Sequence, residues 1–304
     1  MNLVKTISYR KNKYGFIEIL DKPSGAELAE YYSKEYYQNE QGNYRSSYSQ
    51  DELNFFKIKN EQRKFVIESV SGLHSGSFLD IGCGEGFTLK YFSECGYNTI
   101  GLDYSSFGCE KMNPDQVKNL IVGDISESID NLEENDKKFE VVWMNNLLEH
   151  VIDPEEIITK SKNILSENGV LVIQVPNDFS PYQEFLEEKG HVDEKFWIAY
   201  PDHLNYFNRS SLKSFVEAFG FEEKFVLADF PIDIFLANDH SNYIKDRTKG
   251  KLAHQARIDL DNLFHSFGLE KTIDFYRAMA ELGVGRQIIG FFQPKPLKEQ
   301  NAPI

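Results

Sequence analysis

The chain has 304 residues, of which 41% are hydrophobic, with 24 Phe and 16 Tyr, and it carries a formal net charge of −15. That is ample apolar material for a packed interior, and the length fits one core enlarged by additions. The acidic balance argues against nucleic acid or an anionic membrane surface as partner, because phosphate binding needs a surplus of Lys and Arg, and it leaves a small-molecule substrate as the better fit.

The segment from Met1 to Lys13 is too polar for a secretory signal, and apolar runs such as Gly169 to Val175 fall short of a membrane span. Cys83, Cys95 and Cys109 have neither the pairing nor the histidine spacing of a zinc site or disulfide framework. A cytoplasmic protein without a metal is expected.

In chain order, residues 1–51 hold eight of the sixteen tyrosines, including Tyr31, Tyr32, Tyr36 and Tyr37. They read as an aromatic-rich cap made of a short β element and a helix over a cofactor cleft. Residues 52–238 read as the core. Short apolar runs bounded by Gly, Asp or Asn predict strands at Ser77 to Ile81, Asn98 to Leu102, Asn119 to Val122, Phe139 to Met144 and Gly169 to Val175. Helices are predicted between them, from Phe87 to Cys95 and from Asp153 to about Leu165. The second opens on a capping acid, a proline and two acids. Leu212, Phe215, Val216 and Phe219 are spaced for a helix that Gly220 ends, and a sixth strand follows at Lys224 to Phe230. Residues 239–285 read as a helical insertion, a lid or a dimer element, with Leu252, Ala256, Leu260, Leu263 and Phe267 along one stripe that forms core or a homodimer seam. A seventh strand fits Gln287 to Gln293, within a final segment of residues 286–304. Alternating strand and helix implies a doubly wound, Rossmann-like α/β sheet that is mostly parallel.

The chemistry centres on Asp80-Ile81-Gly82-Cys83-Gly84-Glu85-Gly86, where a strand enters a glycine-rich turn and then a helix. Such a turn lets a ligand approach bare backbone, and the helix start offers free N–H groups. Asp103 ends the second strand, where a carboxylate can accept from both ribose hydroxyls, and Tyr104 follows it. Asp124 and Ile125 follow the third strand, where the Asp124 side chain could accept from an adenine amino group. Asn145 and Asn146 end the fourth. A dinucleotide fingerprint needs a third glycine where Phe87 stands, and Asp80 before the turn would repel a pyrophosphate yet suits an ammonium and a sulfonium. The pattern therefore favours S-adenosylmethionine over a nicotinamide cofactor.

These segments, with Asn146-Leu147-Leu148-Glu149-His150-Val151 and Asp153-Pro154, resemble the successive motifs of class I S-adenosylmethionine-dependent methyltransferases. The resemblance covers roughly residues 52–230 and the seventh strand, and implies that this strand is antiparallel in a seven-stranded sheet. It also implies that Gly82, Gly84 and Gly86 hold the methionine part, Asp103 the ribose and Asp124 the adenine side. Arg45 and Arg63 are candidates to pair with the methionine carboxylate, since residues of the N-terminal cap are expected to close over it. The Leu-Glu-His-Val stretch and His203-Leu204-Asn205-Tyr206-Phe207 look like the subgroup that methylates quinone precursors, sugars and other small metabolites. For a hydroxyl acceptor, His203 and His150 are the candidate bases, although each could instead anchor backbone. Trp197, Tyr200 and Tyr206 are candidates for the acceptor wall, or for packing.

Overall fold

A computed structural model describes residues 7–25, 27 and 47–296. The expected cap helix, with Tyr31, Tyr32, Tyr36, Tyr37 and Arg45, lies outside the described residues.

The central sheet has seven strands: β3 (Ser77–Ile81), β4 (Asn98–Asp103), β5 (Leu120–Val122), β6 (Phe139–Asn145), β7 (Leu165–Pro176), β9 (Phe221–Ala228) and β10 (Gln287–Pro294). Their spatial order is β5-β4-β3-β6-β7-β10-β9. The first five run parallel, and β10 inserts antiparallel between β7 and β9. This is the mostly parallel sheet with an antiparallel last strand that the sequence implied.

Along each strand successive side chains enter opposite layers. Leu79, Ile81, Val142, Met144, Leu171 and Ile173 face one buried cluster, while Phe78, Val141, Trp143, Val170 and Val172 face the other. Burial on both faces is why the strands read as continuous apolar runs instead of alternating ones. Helices α4 (Ile125–Glu134), α5 (Pro154–Ile164) and α7 (Arg209–Ala218) fill the first layer, through Ile129, Ile158 and Phe215 among others. Helices α1 (Gln50–Ser71), α2 (Phe87–Glu94) and α9 (Leu269–Glu281) fill the second, through Val66, Phe92 and Tyr276.

The N-terminal β element is a hairpin of β1 (Tyr9–Lys11) and β2 (Ile17–Ile19), which pairs with β8 (Asn205–Tyr206) to form a separate small sheet. Phe16 packs there against Phe207 and Phe215. The insertion contains α8 (Gly250–Ser266) and α9, with α8 laid against α1. Only part of the expected stripe faces the core of this chain. Ala253, Ile258 and Asp261 are buried, and Leu260 packs on the second layer, whereas Leu252, Leu263 and Phe267 are 72%, 47% and 63% exposed. Asp261 receives Lys59 and the Tyr276 hydroxyl in the interior, and the apolar stripe faces partly outward. Among the described residues, no helix is long and apolar enough to cross a membrane.

Candidate active site

A cleft of about 890 Å³ opens at the carboxyl ends of the parallel strands. Open α/β sheets bind ligands at this edge. Its floor is the turn from β3 into α2. Gly82, Gly84 and Gly86 have φ of 77°, 52° and 75°, in the left-handed region that favours glycine. A Cβ at Gly86 would lie 2.9 Å from the Cys109 sulfur, so the turn is closed behind by packing as well as by backbone conformation. Gly82, Cys83, Gly84, Gly86, Asp103, Tyr104, Asp124, Ile125 and Asn145 all line the cleft.

Asp103 secures the turn. Its Oδ2 accepts from the Gly84 N–H at 2.8 Å and its Oδ1 from the Ser105 N–H at 3.1 Å. Asp124 caps α4 by accepting from the Glu127 N–H at 3.0 Å, and its other oxygen receives the Tyr104 hydroxyl at 3.1 Å. Asp80 lies one layer beneath the cleft lining. It is 2% exposed, and its Oδ1 has no hydrogen-bond partner among the described residues. Burial, reinforced by the charge of Asp103, pushes its carboxyl up to about 8. The floor thus rests on a carboxyl group that a nearby cation would ionise.

Other lining residues come from distant parts of the chain: Phe55, Lys59, Asn60 and Arg63 from α1, Gln174 from β7, Asp229 just past β9, Arg257 from α8 and Gln287 from β10. Arg63 donates to Gln174 and lies over the Trp143 ring, and burial lowers its guanidinium to about 10. Burial raises Asp229 to about 6 against the pull of Arg257 and Lys59, while its Oδ1 accepts from the Gln287 N–H at 2.7 Å. Of this group the sequence pointed only to Arg63. The Ser49–Glu52 capping box and the Lys59, Arg63 spacing along one helix face were the signals available for α1.

His150 lines the cleft, and His203 stands behind it with ring centroids 4.9 Å apart, edge to face. The His150 Nδ1–H donates to the Asp202 carbonyl at 2.8 Å. Leu204 and Asn205 N–H groups donate to the Glu149 carbonyl at 2.7 and 3.1 Å, and the Asn205 amide donates to Leu148 and Val151. These bonds fasten the loop carrying His203 onto the turn carrying Glu149 and His150. Burial lowers His150, but Asp202 and Glu149 outweigh it and bring the ring to about 9. Burial and then the neighbouring His150 take His203 down to about 4. Trp197 and Tyr206 are each 1% exposed and meet the Phe179 ring edge to face, and the Tyr206 hydroxyl donates to the His203 carbonyl. The Tyr200 hydroxyl donates to the Asp21 carbonyl. His203, Trp197, Tyr200 and Tyr206 are outside the cleft lining.

A family model described as a methyltransferase domain matches residues 40–223. The chain is 29% identical over 148 residues to a ubiquinone biosynthesis O-methyltransferase of Vibrio atlanticus (strain LGP32), covering 43% of this chain and 61% of that one. It is 30% identical over 110 residues to the protein of the same name from Aliivibrio fischeri (strain ATCC 700601 / ES114), covering 34% and 46%. The chain spans about half the length of the curated relatives it matches. Among solved structures, the plantazolicin methyltransferase BpumL in complex with SAH superposes with a TM-score of 0.51 at 16% identity, over 88% of this chain and 94% of that one, and shares the fold.

Proposed function

We propose that this chain, which belongs to the methyltransferase-domain family, transfers the methyl group of S-adenosylmethionine to an oxygen of a small metabolite: a sugar, a nucleotide sugar or another precursor of a cell-surface glycan. The observation that carries the donor assignment is the glycine turn with Asp103 at its edge and Asp80 beneath it. A buried carboxyl with one oxygen lacking a donor among the described residues suits a ligand bearing an ammonium and a sulfonium, and it opposes a pyrophosphate. The donor's ribose rests on Asp103, its adenine lies on the Asp124 and Ile125 side, and Arg63 takes the methionine carboxylate.

Methyl transfer from a sulfonium is an in-line displacement with a good leaving group, so holding acceptor and donor in line supplies much of the rate, up to about 7–11 kcal/mol in favourable cases. The polar residues that α1, β7, α8 and β10 bring to the cleft support a polar acceptor. Asn60, Gln174, Asp229, Arg257 and Gln287 offer planar hydrogen-bonding groups beside the Phe55 ring, a mixture suited to hydroxyl-rich molecules. The names of the relatives favour a second reading, a quinone-like aromatic phenol as acceptor.

The test is methyl transfer from labelled S-adenosylmethionine to a panel of nucleotide sugars, sugar phosphates and catechols, read by mass spectrometry of the products. Methylated sugar derivatives are expected. Methylation of catechols alone would replace the first acceptor class by the second.

A further inference from the structure

We propose that Glu149, His150 and His203 form a binding site for a divalent transition-metal ion, with Zn²⁺ the ion that this donor set fits best. One ligand atom from each residue lies within 4.8 Å of the others. Glu149 is 1% exposed, and neither of its carboxylate oxygens has a hydrogen-bond partner among the described residues. The buried Nδ1 of His203 is likewise unpartnered. A buried carboxylate costs several kcal/mol, on the order of those measured for unpaired buried charges, unless a cation or hydrogen bonds offset it. Without an ion the charge nearest this carboxylate is the His150 ring, whose Nε2 is 3.9 Å from Oε1, too far for a hydrogen bond; a metal ion that displaces the His150 proton serves the oxygen and nitrogen lone pairs together.

The surroundings orient these side chains as metal ligands are oriented. Histidines that bind metals donate their other ring N–H to a carbonyl or carboxylate, which fixes tautomer and ring plane. His150 does this through Nδ1, to the Asp202 carbonyl at 2.8 Å, and so directs Nε2 toward Glu149, whose Oε1 is 3.9 Å away. The Asp202 carboxylate stands between the rings, 3.4 Å from His150 Nδ1 and 3.9 Å from His203 Nε2. Two imidazoles and a carboxylate suit Zn²⁺ and leave a coordination position open for an oxygen ligand. Ligand atoms about 2 Å from an ion are closer together than those here, so side-chain rotation must draw them in.

His150 is the member that lines the cleft, which gives the ion a role resting on the methyl-transfer reading above. An acceptor hydroxyl bound at the open position loses its proton to water more readily. The oxygen then donates a lone pair to the methyl carbon as the carbon–sulfur bond breaks, its electron pair passing to sulfur. The deprotonation expected of His203 or His150 is then performed at the ion that both hold.

The test uses the full chain, freed of metal with EDTA and titrated with ZnCl₂ in a calorimeter in the presence of S-adenosylhomocysteine, whose own binding is measured first. One Zn²⁺ per chain is expected. Glu149→Gln and His203→Gln should each weaken it at least tenfold, and Asp202→Asn about 10–100-fold through ligand orientation. Co²⁺ in place of Zn²⁺ should give visible absorption without a thiolate charge-transfer band, a readout that needs no variant to fold. Absence of stoichiometric Zn²⁺ binding, equal affinity in the Glu149 and His203 variants, or a thiolate band that puts the ion on cysteine would each overturn the site. Failure of S-adenosylhomocysteine to bind would instead overturn the donor assignment, leaving the metal result to stand separately.

Discussion

Replacing Asp80 by Asn isolates the electrostatic strain of the ligand-free floor. In the folded chain burial and Asp103 lift this carboxyl from 3.8 to about 8. Between those values the unfolded chain has released the proton and the folded chain keeps it. The folded state then binds more protons, so stability falls as pH rises through that window. A tenfold change in proton affinity is worth about 1.36 kcal/mol, which caps the loss at on the order of 6 kcal/mol, with relaxation and water entry reducing it. Asp80→Asn keeps the shape of the protonated acid and cannot ionise. The ligand-free variant should therefore match the parent near pH 4 and exceed it by a few kcal/mol near pH 8, while binding S-adenosylmethionine more weakly. Urea denaturation at closely spaced pH values measures the difference. A constant gap between the two proteins across pH 4–8 would refute the reasoning, because it would mean that Asp80 does not titrate in that window.

Asp103→Ala should weaken S-adenosylhomocysteine binding by more than tenfold, since each hydrogen bond to a charged group is worth about 1.5–3 kcal/mol; calorimetry on the folded variant checks this. It should also cost stability, because the Gly84 N–H loses its acceptor. Gly86→Ala should destabilise the chain by about 2–4 kcal/mol, combining left-handed backbone strain with overpacking of the Cys109 sulfur. Part of that cost should be recovered with Cys109→Ala, and strict additivity in denaturation midpoints would contradict the contact.

The parallel strands were readable because both faces are buried, which turns each into a short apolar run between polar boundaries. The glycine turn was readable because it combines a strand, spaced glycines and a following helix. Helix α1 left little signal in periodicity, since its buried positions include Glu52, Lys59, Asn60 and Gln62, several of which serve the cleft or the insertion instead of the apolar core. The buried face of α8 was hard to read for the same reason: the buried partner at its centre is Asp261, a residue type that counts as solvent-facing in any hydrophobic pattern. Trp197 and Tyr206 show the limit for aromatic residues, as their composition suits a pocket wall while their burial against Phe179 depends on the loop's path. Asp229, Arg257 and Gln287 meet only through the crossing of β9, α8 and β10, which no local spacing records.

The donor assignment is tested most directly by calorimetric titration of the unmodified chain with S-adenosylhomocysteine and, separately, with NADH. Binding of one S-adenosylhomocysteine per chain and none of NADH is the predicted result; binding of NADH without S-adenosylhomocysteine would contradict it.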